Sequence, residues 1–433
     1  MDQHIIEGYK TQLDSLLGTV PGTDPLRLSA MKEFADKAFP TAKTENWRYS
    51  DIRSLNKDLY ALAQPAPETP DLPDALSEVA ARFVFVNGRY DETLSDLGDL
   101  WQAMPIRSLS NHFMSNPDRA GELVRGIDSV SLLNTALLRD GMVFSIPTGV
   151  EIDDPIEIIH IMTGTDKSAG HVRHVVELGE QASATIVEHF IGTDAHYWTN
   201  SLLQARVNEG AKLRHIHLQE EGKNAIHTAK AFVYLGAEAD YQGTSIALGG
   251  KTSRFEVHAR ILADGAHAAI NGVALAATGQ SHDMLTQVEH TVPNATSDQV
   301  FRTVADSQGK TSFQGKIIVA KDAQKTEANQ SFKALVFDKT AEANAKPELE
   351  ILADDVKCSH GATVGQLDEK AIFYLTSRGI DPVTARQMLV EAFTTDALTT
   401  VGNADIEAAL MARITGWMSA RADKASLKAA ADK

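Results

Sequence analysis

A glycine recurs at regular intervals through the middle of this chain, at Leu178-Gly179 and, followed by alanine, at Glu209-Gly210-Ala211, Leu235-Gly236-Ala237 and Asp264-Gly265-Ala266. The four glycines are spaced by 31, 26 and 29 residues. A recurrence every ~20–50 residues points to stacked structural repeats. Short segments of alternating apolar and polar residues fill the intervals, at 157–162, 171–177, 184–190, 203–207, 212–218, 229–235, 254–262, 316–320 and 331–336. Period two is the signature of a strand. A strand pair of this length buries little by itself, whereas coil stacked on coil makes one continuous apolar core. Long helical patterns are absent from Met142 to about Ala362. A β-sandwich or a double-stranded barrel would also show many short strands, so spacing alone leaves those architectures open.

The flanks read differently. Residues 1–64 carry helical spacing, with Leu13, Leu16 and Leu17 on one face and Leu28, Met31, Ala35 and Ala38 on another. Four prolines, Pro65, Pro67, Pro70 and Pro73, make 64–74 a semi-extended linker. Residues 82–90 are a hairpin candidate turned by Asn87-Gly88. Helical spacing returns at 118–138 through Leu123, Ile127, Val130, Leu133 and Leu137. Beyond Cys358 the chain is helical again. Asp368 opens a helix that Gly379 ends, with Ile372, Phe373 and Leu375 as its apolar positions. Asp381-Pro382 caps the next, whose stripe is Ala385, Met388, Leu389, Ala392 and Phe393. Val390, Glu391 and Thr394 lie off that stripe and are expected at the surface. Ile406, Leu410, Ile414 and Trp417 form the last stripe, and the Lys- and Ala-rich end is expected to fray.

Composition narrows the classes of function. A length of 433 residues allows two or three domains, and 43% hydrophobic with 23% charged residues is globular. A net charge of −17 argues against nucleic acid or an anionic membrane as partner. The single cysteine excludes an internal disulfide framework. The opening Met-Asp-Gln-His lacks the basic and apolar regions of a signal peptide, so the cytoplasm is expected. Gly249-Gly250-Lys251-Thr252 and Gly309-Lys310-Thr311 mimic the end of a phosphate-binding loop. Ser245 and Val304 stand where its first glycine belongs, so both are expected to be turns.

Chemistry concentrates at Cys358 and His360. Period two puts them on one face of a strand, and thiolate with imidazole suits iron, zinc or iron–sulfur centres. The alternative is a buried cysteine beside a hydrogen-bonded histidine. Among the other histidines, His215 and His217 share a strand face, His171 faces a neighbouring coil, and His282 and His290 lie in a polar region with Asp283 and Glu289; a cupin-like metal site is the alternative these offer, but acids at ligand spacing are not evident. Asp240, Glu256, Asp264 and Asp283 are the carboxylates that a carbohydrate-active β-helix enzyme would need to pair.

The stretch Lys346-Pro347-x-Leu349-Glu350-Ile351, then 353–365 with Cys358-Ser359-His360-Gly361, resembles the C-terminal hallmark of the SufD family of the SUF iron–sulfur cluster assembly machinery. Glu45-Asn46-Trp47-Arg48-Tyr49-Ser50 resembles the aromatic signature near the start of that family, and Leu133-Asn134-x-Ala136, Asp140-Gly141 and Pro155-Ile156 its entry into the central domain. Ala38 departs from the glycine that relatives often carry. From the residues alone, Trp47 and Tyr49 are expected to anchor the small N-terminal region.

The resemblance implies a mainly β fold with helical ends. A right-handed parallel β-helix (141–362) would lie between an N-terminal helical region with a Pro-rich linker and small hairpin (1–140) and a C-terminal helical domain (363–433). It implies a non-catalytic scaffold that pairs with SufB and docks the SufC ATPase, binding no nucleotide itself, with a homodimer as a further possible state. Ala385, Met388, Leu389 and Phe393 would serve the ATPase contact. Cys358 and His360 would handle a transient iron–sulfur cluster or iron at the SufB interface. One cysteine cannot supply the usual four thiolates, so the remaining ligands would come from the partner. The rivals are the carbohydrate-active enzyme and a standalone metal-binding module.

Overall fold

In a computed structural model, which describes residues 3–50, 52–100, 104–124 and 126–431, two parallel sheets face each other along one axis. The N-terminal region supplies helices α1 (Gln3–Asp14) and α2 (Asp24–Lys37), strands β1 (Ala61–Leu62), β2 (Ala81–Val86), β3 (Arg89–Tyr90) and β4 (Ile106–Ser108), and helices α3 (Leu109–Ser115) and α4 (Ser129–Ala136). The coils follow as β5 (Met142–Ile146), β6 (Ile156–Met162), β7 (Ser168–Leu178), β8 (Ser183–Gly192), β9 (Trp198–Val207), β10 (Lys212–Gln219), β11 (Ile226–Leu235), β12 (Asp240–Ala247), β13 (Thr252–Ile261), β14 (His267–Ala276), β15 (Ser281–His290), β16 (Thr296–Ala305), β17 (Lys310–Val319), β18 (Glu327–Val336), β19 (Glu342–Ile351) and β20 (Lys357–Gly365). Helices α5 (Glu369–Ser377), α6 (Pro382–Thr395) and α7 (Ala404–Ala431) complete the chain.

Odd-numbered strands from β5 to β19 form one sheet and even-numbered strands from β6 to β20 the other, each pairing parallel with the strand two places on. The chain therefore winds as a parallel β-solenoid, and the expected stacked repeat is what it builds. Gly210 and Gly265 hold φ of +64° and +73° at the corners, which a side chain strains to adopt. Inward residues such as Ala231, Val257, Ala268 and Ala205 fill the space between the sheets. Small side chains there let the sheets approach closely.

Both sheets are covered outside as well. The outward row Ile216, Ile246, Val273 and Val304 of the even sheet packs under Val390, Leu398, Ile406, Leu410 and Ile414 of the C-terminal helices. The N-terminal region packs on the odd sheet around Trp198. Trp47 is 2% exposed. Its Nε1–H donates to Asp128 Oδ2 at 3.1 Å, and the Arg254 guanidinium lies 4.1 Å from its ring centroid. Arg254 in turn pairs with Glu256 and Asp283, and Asp283 takes the hydroxyl of Ser50. Trp47 is thus the anchor that its sequence context predicts. The hairpin β2–β3 also forms, with Asn87 and Gly88 both at positive φ. Its β2 pairs with β6, so the N-terminal region supplies strands to the solenoid itself.

Several expectations are corrected. Residues 118–138 are not one helix. Gly126 at φ +117° interrupts the pattern, Asp128 caps α4 afresh, and Ile127 is exposed. On α2 the buried face is Arg27, Ala30, Met31 and Phe34, and Leu28 points outward. Val390 and Thr394 are fully buried rather than exposed, because α6 lays that side on the even sheet. Helix α7 runs through Ala431, and the last two residues of the Lys- and Ala-rich end lie outside the described residues. Among the described residues no helix is long and apolar enough to cross a membrane.

Trp47→Ala should cost about 3–5 kcal/mol, by loss of buried area and of the Arg254 and Lys230 cations over the ring. Urea unfolding should show a lower midpoint at unchanged folded-state circular dichroism. An unaltered midpoint would remove Trp47 as the anchor.

Candidate functional site

The two ends of the solenoid are finished differently. At the N-terminal end the even and odd sheets finish in the short antiparallel strands β3 (Arg89–Tyr90) and β4 (Ile106–Ser108). At the C-terminal end β19 and β20 each pair with one neighbour only, β17 and β18. Both outer edges keep unpaired backbone groups, and almost every residue of β20 is exposed. An uncovered edge is a template for another strand.

Register decides where Cys358 and His360 point. Cys358 stacks on Ala328, His360 on Gln330 and Ala362 on Phe332. Those three partners are buried, and Phe332 belongs to the core between the sheets. The thiol and imidazole therefore continue the inward-facing row one rung past the last covered coil. They share a face, as period two requires, about 6.6 Å apart along the strand. Cys358 is half-buried against Ile317, Val319, Ala328 and Ala353, and His360 is exposed. Burial pushes the Cys358 thiol above its ordinary pKa, with the Ala328 backbone hydrogen bond acting in the opposite direction. Ile351, Leu352 and Val364 add exposed apolar surface at the same end. The site thus offers one sulfur, one nitrogen, two free edges and an apolar rim, which is an incomplete ligand set on a surface suited to another chain.

The remaining histidines divide by strand face. His215 and His217 point inward from β10, and His282 and His290 inward from β15, whereas Asp283 turns outward to Arg254 and Glu289 to Arg260. The acids and histidines grouped by sequence proximity therefore lie on opposite sides of a strand. His171 sits outside the solenoid, edge-on to Trp198 under the N-terminal helices. Burial takes His171 down to about 3 and His282 and His290 to about 4, so all three are neutral near pH 7. Sequence reasoning passed over His160, His174 and Glu188, which meet inside the solenoid. Their signal was a titratable residue at an inward position of an otherwise apolar strand.

Of the four carboxylates only Glu256 and Asp283 come together, and both are buried on the Arg254 guanidinium beneath Trp47. Glu256 is held by Lys230, Arg254 and His258, and although burial would raise its pKa these cations keep it well below the carboxylate range. Asp240 takes Gln242 and Asp264 takes Asn294, at separate places. Both phosphate-loop mimics lie in turns before β13 and β17, and neither opens a helix.

On the C-terminal helices, Ala385 is buried and so leaves the expected docking set. Met388 is exposed, while Leu389 and Phe393 are half-buried, with the Arg302 guanidinium 6.0 Å from the Phe393 ring. Phe373 and Tyr374 on α5 are 73% and 59% exposed, and Val383 also faces out. Phe373 is one of the three apolar positions read for this helix. The helix instead turns only Ile372 to the interior.

The family description "SUF system FeS cluster assembly, SufBD core domain" matches residues 160–393, and "SufBD protein N-terminal region" matches residues 3–158. The iron–sulfur cluster assembly protein SufD of Escherichia coli is 32% identical over 392 residues, covering 89% of this chain and 90% of that protein. The chloroplastic protein ABCI7 of Arabidopsis thaliana is 29% identical over 421 residues, covering 94% of this chain and 89% of its own. The iron–sulfur cluster assembly protein SufB of Bacillus subtilis is 26% identical over 265 residues, 60% of this chain and 56% of that one.

The half-buried thiol sets a kinetic expectation. Disulfide-exchange labelling of the native chain should modify Cys358 in one equivalent, slowly at pH 7, with a rate still climbing at pH 9 because little thiolate exists below its raised pKa. A rate already level at pH 8 would contradict that environment.

Proposed function

Because this chain belongs to the SufBD family of SUF-system iron–sulfur cluster assembly proteins, we propose that it is the scaffold subunit that pairs with SufB and docks the SufC ATPase. The observation that carries this reading is the open C-terminal end, where the inward row runs out at Cys358 and His360. Iron–sulfur clusters are usually held by four protein ligands, and this end offers one sulfur and one imidazole. A second solenoid of the same family, docked edge to edge, would add strands to β19 and β20 and bring its own ligands to the same rung. The cluster is cargo in this scheme, assembled between the two chains and passed on.

The exposed residues Phe373, Tyr374, Val383 and Met388 of α5 and α6, with Leu389 and Phe393 beside them, form the surface for the ATPase. ATP would be hydrolysed by SufC alone. Movement of these helices would reach the open end through the short connection between β20 and α5, opening the interface to iron and sulfide. His360 would act as a ligand or hold incoming iron, with Cys358 beside it. The carbohydrate-active reading finds its two neighbouring carboxylates, Glu256 and Asp283, buried on Arg254 rather than open to a groove, and the standalone-module reading leaves two donors without companions.

Two experiments test this. In the complex co-expressed with SufB and SufC, His360→Ala should reduce iron and sulfide content by about tenfold at unchanged subunit stoichiometry, as expected for loss of a ligand. Cluster content equal to wild type would remove the site. Separately, Phe373→Asp with Met388→Asp should abolish co-purification of SufC while leaving SufB bound and the thermal midpoint of the isolated chain within ~2 °C, since both side chains are solvent-facing. Retention of SufC would place the ATPase elsewhere.

A further inference from the structure

Far from the open end, three buried side chains aim polar atoms at one point inside the solenoid. His160 on β6, His174 on β7 and Glu188 on β8 each offer a ligand atom within 4.8 Å of the other two. His160 Nε2 lies 3.8 Å from Glu188 Oε1. The three residues are 4%, 0% and 2% exposed. His160 Nε2, His174 Nε2 and Glu188 Oε1 are all buried without a hydrogen-bond partner. Unpartnered polar atoms inside a core cost free energy, and three of them converging call for a shared partner.

We infer that His160, His174 and Glu188 bind one divalent first-row transition cation, Zn²⁺ or Fe²⁺, inside the solenoid. Two imidazoles and a carboxylate are an established donor set for such ions, with positions left for a further ligand. The surroundings match an outer shell. Glu188 Oε2 pairs with His215 Nε2 at 2.8 Å, and His215 Nδ1 meets the Tyr241 hydroxyl at 3.1 Å. That chain holds the carboxylate and leaves Oε1 pointing at the imidazoles. Ligand atoms around a tetrahedral ion at ~2.0–2.1 Å sit ~3.3 Å apart, so the farthest pair closes by up to ~1.5 Å on binding.

One interaction opposes the ion. The Met142 N–H donates to His174 Nδ1 at 3.2 Å, which leaves the proton on Nε2 in the ion-free chain. Ligation displaces that proton or gives up that long bond, against three metal–ligand bonds gained. Phe190 and Phe85 stack on the His160 ring at 4.3 and 5.4 Å and close the interior around it. The ion therefore enters as the coils close during folding. The inference does not depend on the scaffold role, because these residues lie at the other end of the sheets from Cys358.

The test uses the full chain carrying Cys358→Ser and His360→Ala, which removes the open-end donors. It is refolded from denaturant with Zn²⁺ or Co²⁺, desalted against a chelator and assayed by elemental analysis. About one equivalent should remain, with a raised thermal midpoint and, for Co²⁺, visible ligand-field absorption of a low-coordinate site. Adding Glu188→Gln or, separately, His160→Gln should cut retention by about tenfold or more. A parent that keeps no metal overturns the inference, and so does equal retention in either refolded variant. If neither variant refolds, the parent's metal content and Co²⁺ spectrum decide the matter.

Discussion

A parallel coil satisfies its backbone hydrogen bonds only by lying against the next coil. Every strand from β6 to β18 has a neighbour on both sides, and at their N-terminal end the sheets finish in the short antiparallel strands β3 and β4. The last coil cannot be satisfied the same way. β19 and β20 leave their outer N–H and C=O groups to water or to another protein.

That constraint explains why the sulfur and imidazole sit where they do. The inward row of the even sheet is held in register by parallel pairing, so whatever follows Ala328, Gln330 and Phe332 must continue it. In any earlier coil Cys358 and His360 would be interior residues like His215 or His217. One rung later they become a surface that is still shaped like an interior. The N-terminal region and the helices α6 and α7 stiffen this arrangement by covering the outer faces, through the Trp47–Arg254 stack on one side and the row under Val390 and Ile414 on the other.

The solenoid was legible from its glycine quasi-period and strand alternation, although spacing alone admitted a sandwich or barrel, and the family motif tipped the reading. Strands β12, β14, β15 and β16 were missed because they are covered on both faces. Their apolar and polar residues lose the clean alternation of a half-exposed strand, and Gly243 and Gly272 interrupt them. The thiol–imidazole pair was legible as sharing a face. Its place at an open rim was not, since only the pairing of β20 fixes that. On α6 the stripe was misjudged because tertiary packing selected the side with Ala385, Val390 and Thr394, which the helical spacing alone does not distinguish. The interior triad of His160, His174 and Glu188 comes from three different strands, so no local motif could have announced it.

The central claim is that the bare edge beside Cys358 and His360 is completed by a second protein. Amide hydrogen exchange of the β20 segment Lys357–Gly365 measures this directly. In the isolated chain, at a dilution where it is monomeric, the outward-facing amides of this strand should exchange quickly, and in the complex with SufB they should become strongly protected. Protection already present in the monomer, or exchange unchanged by the complex, would contradict the account.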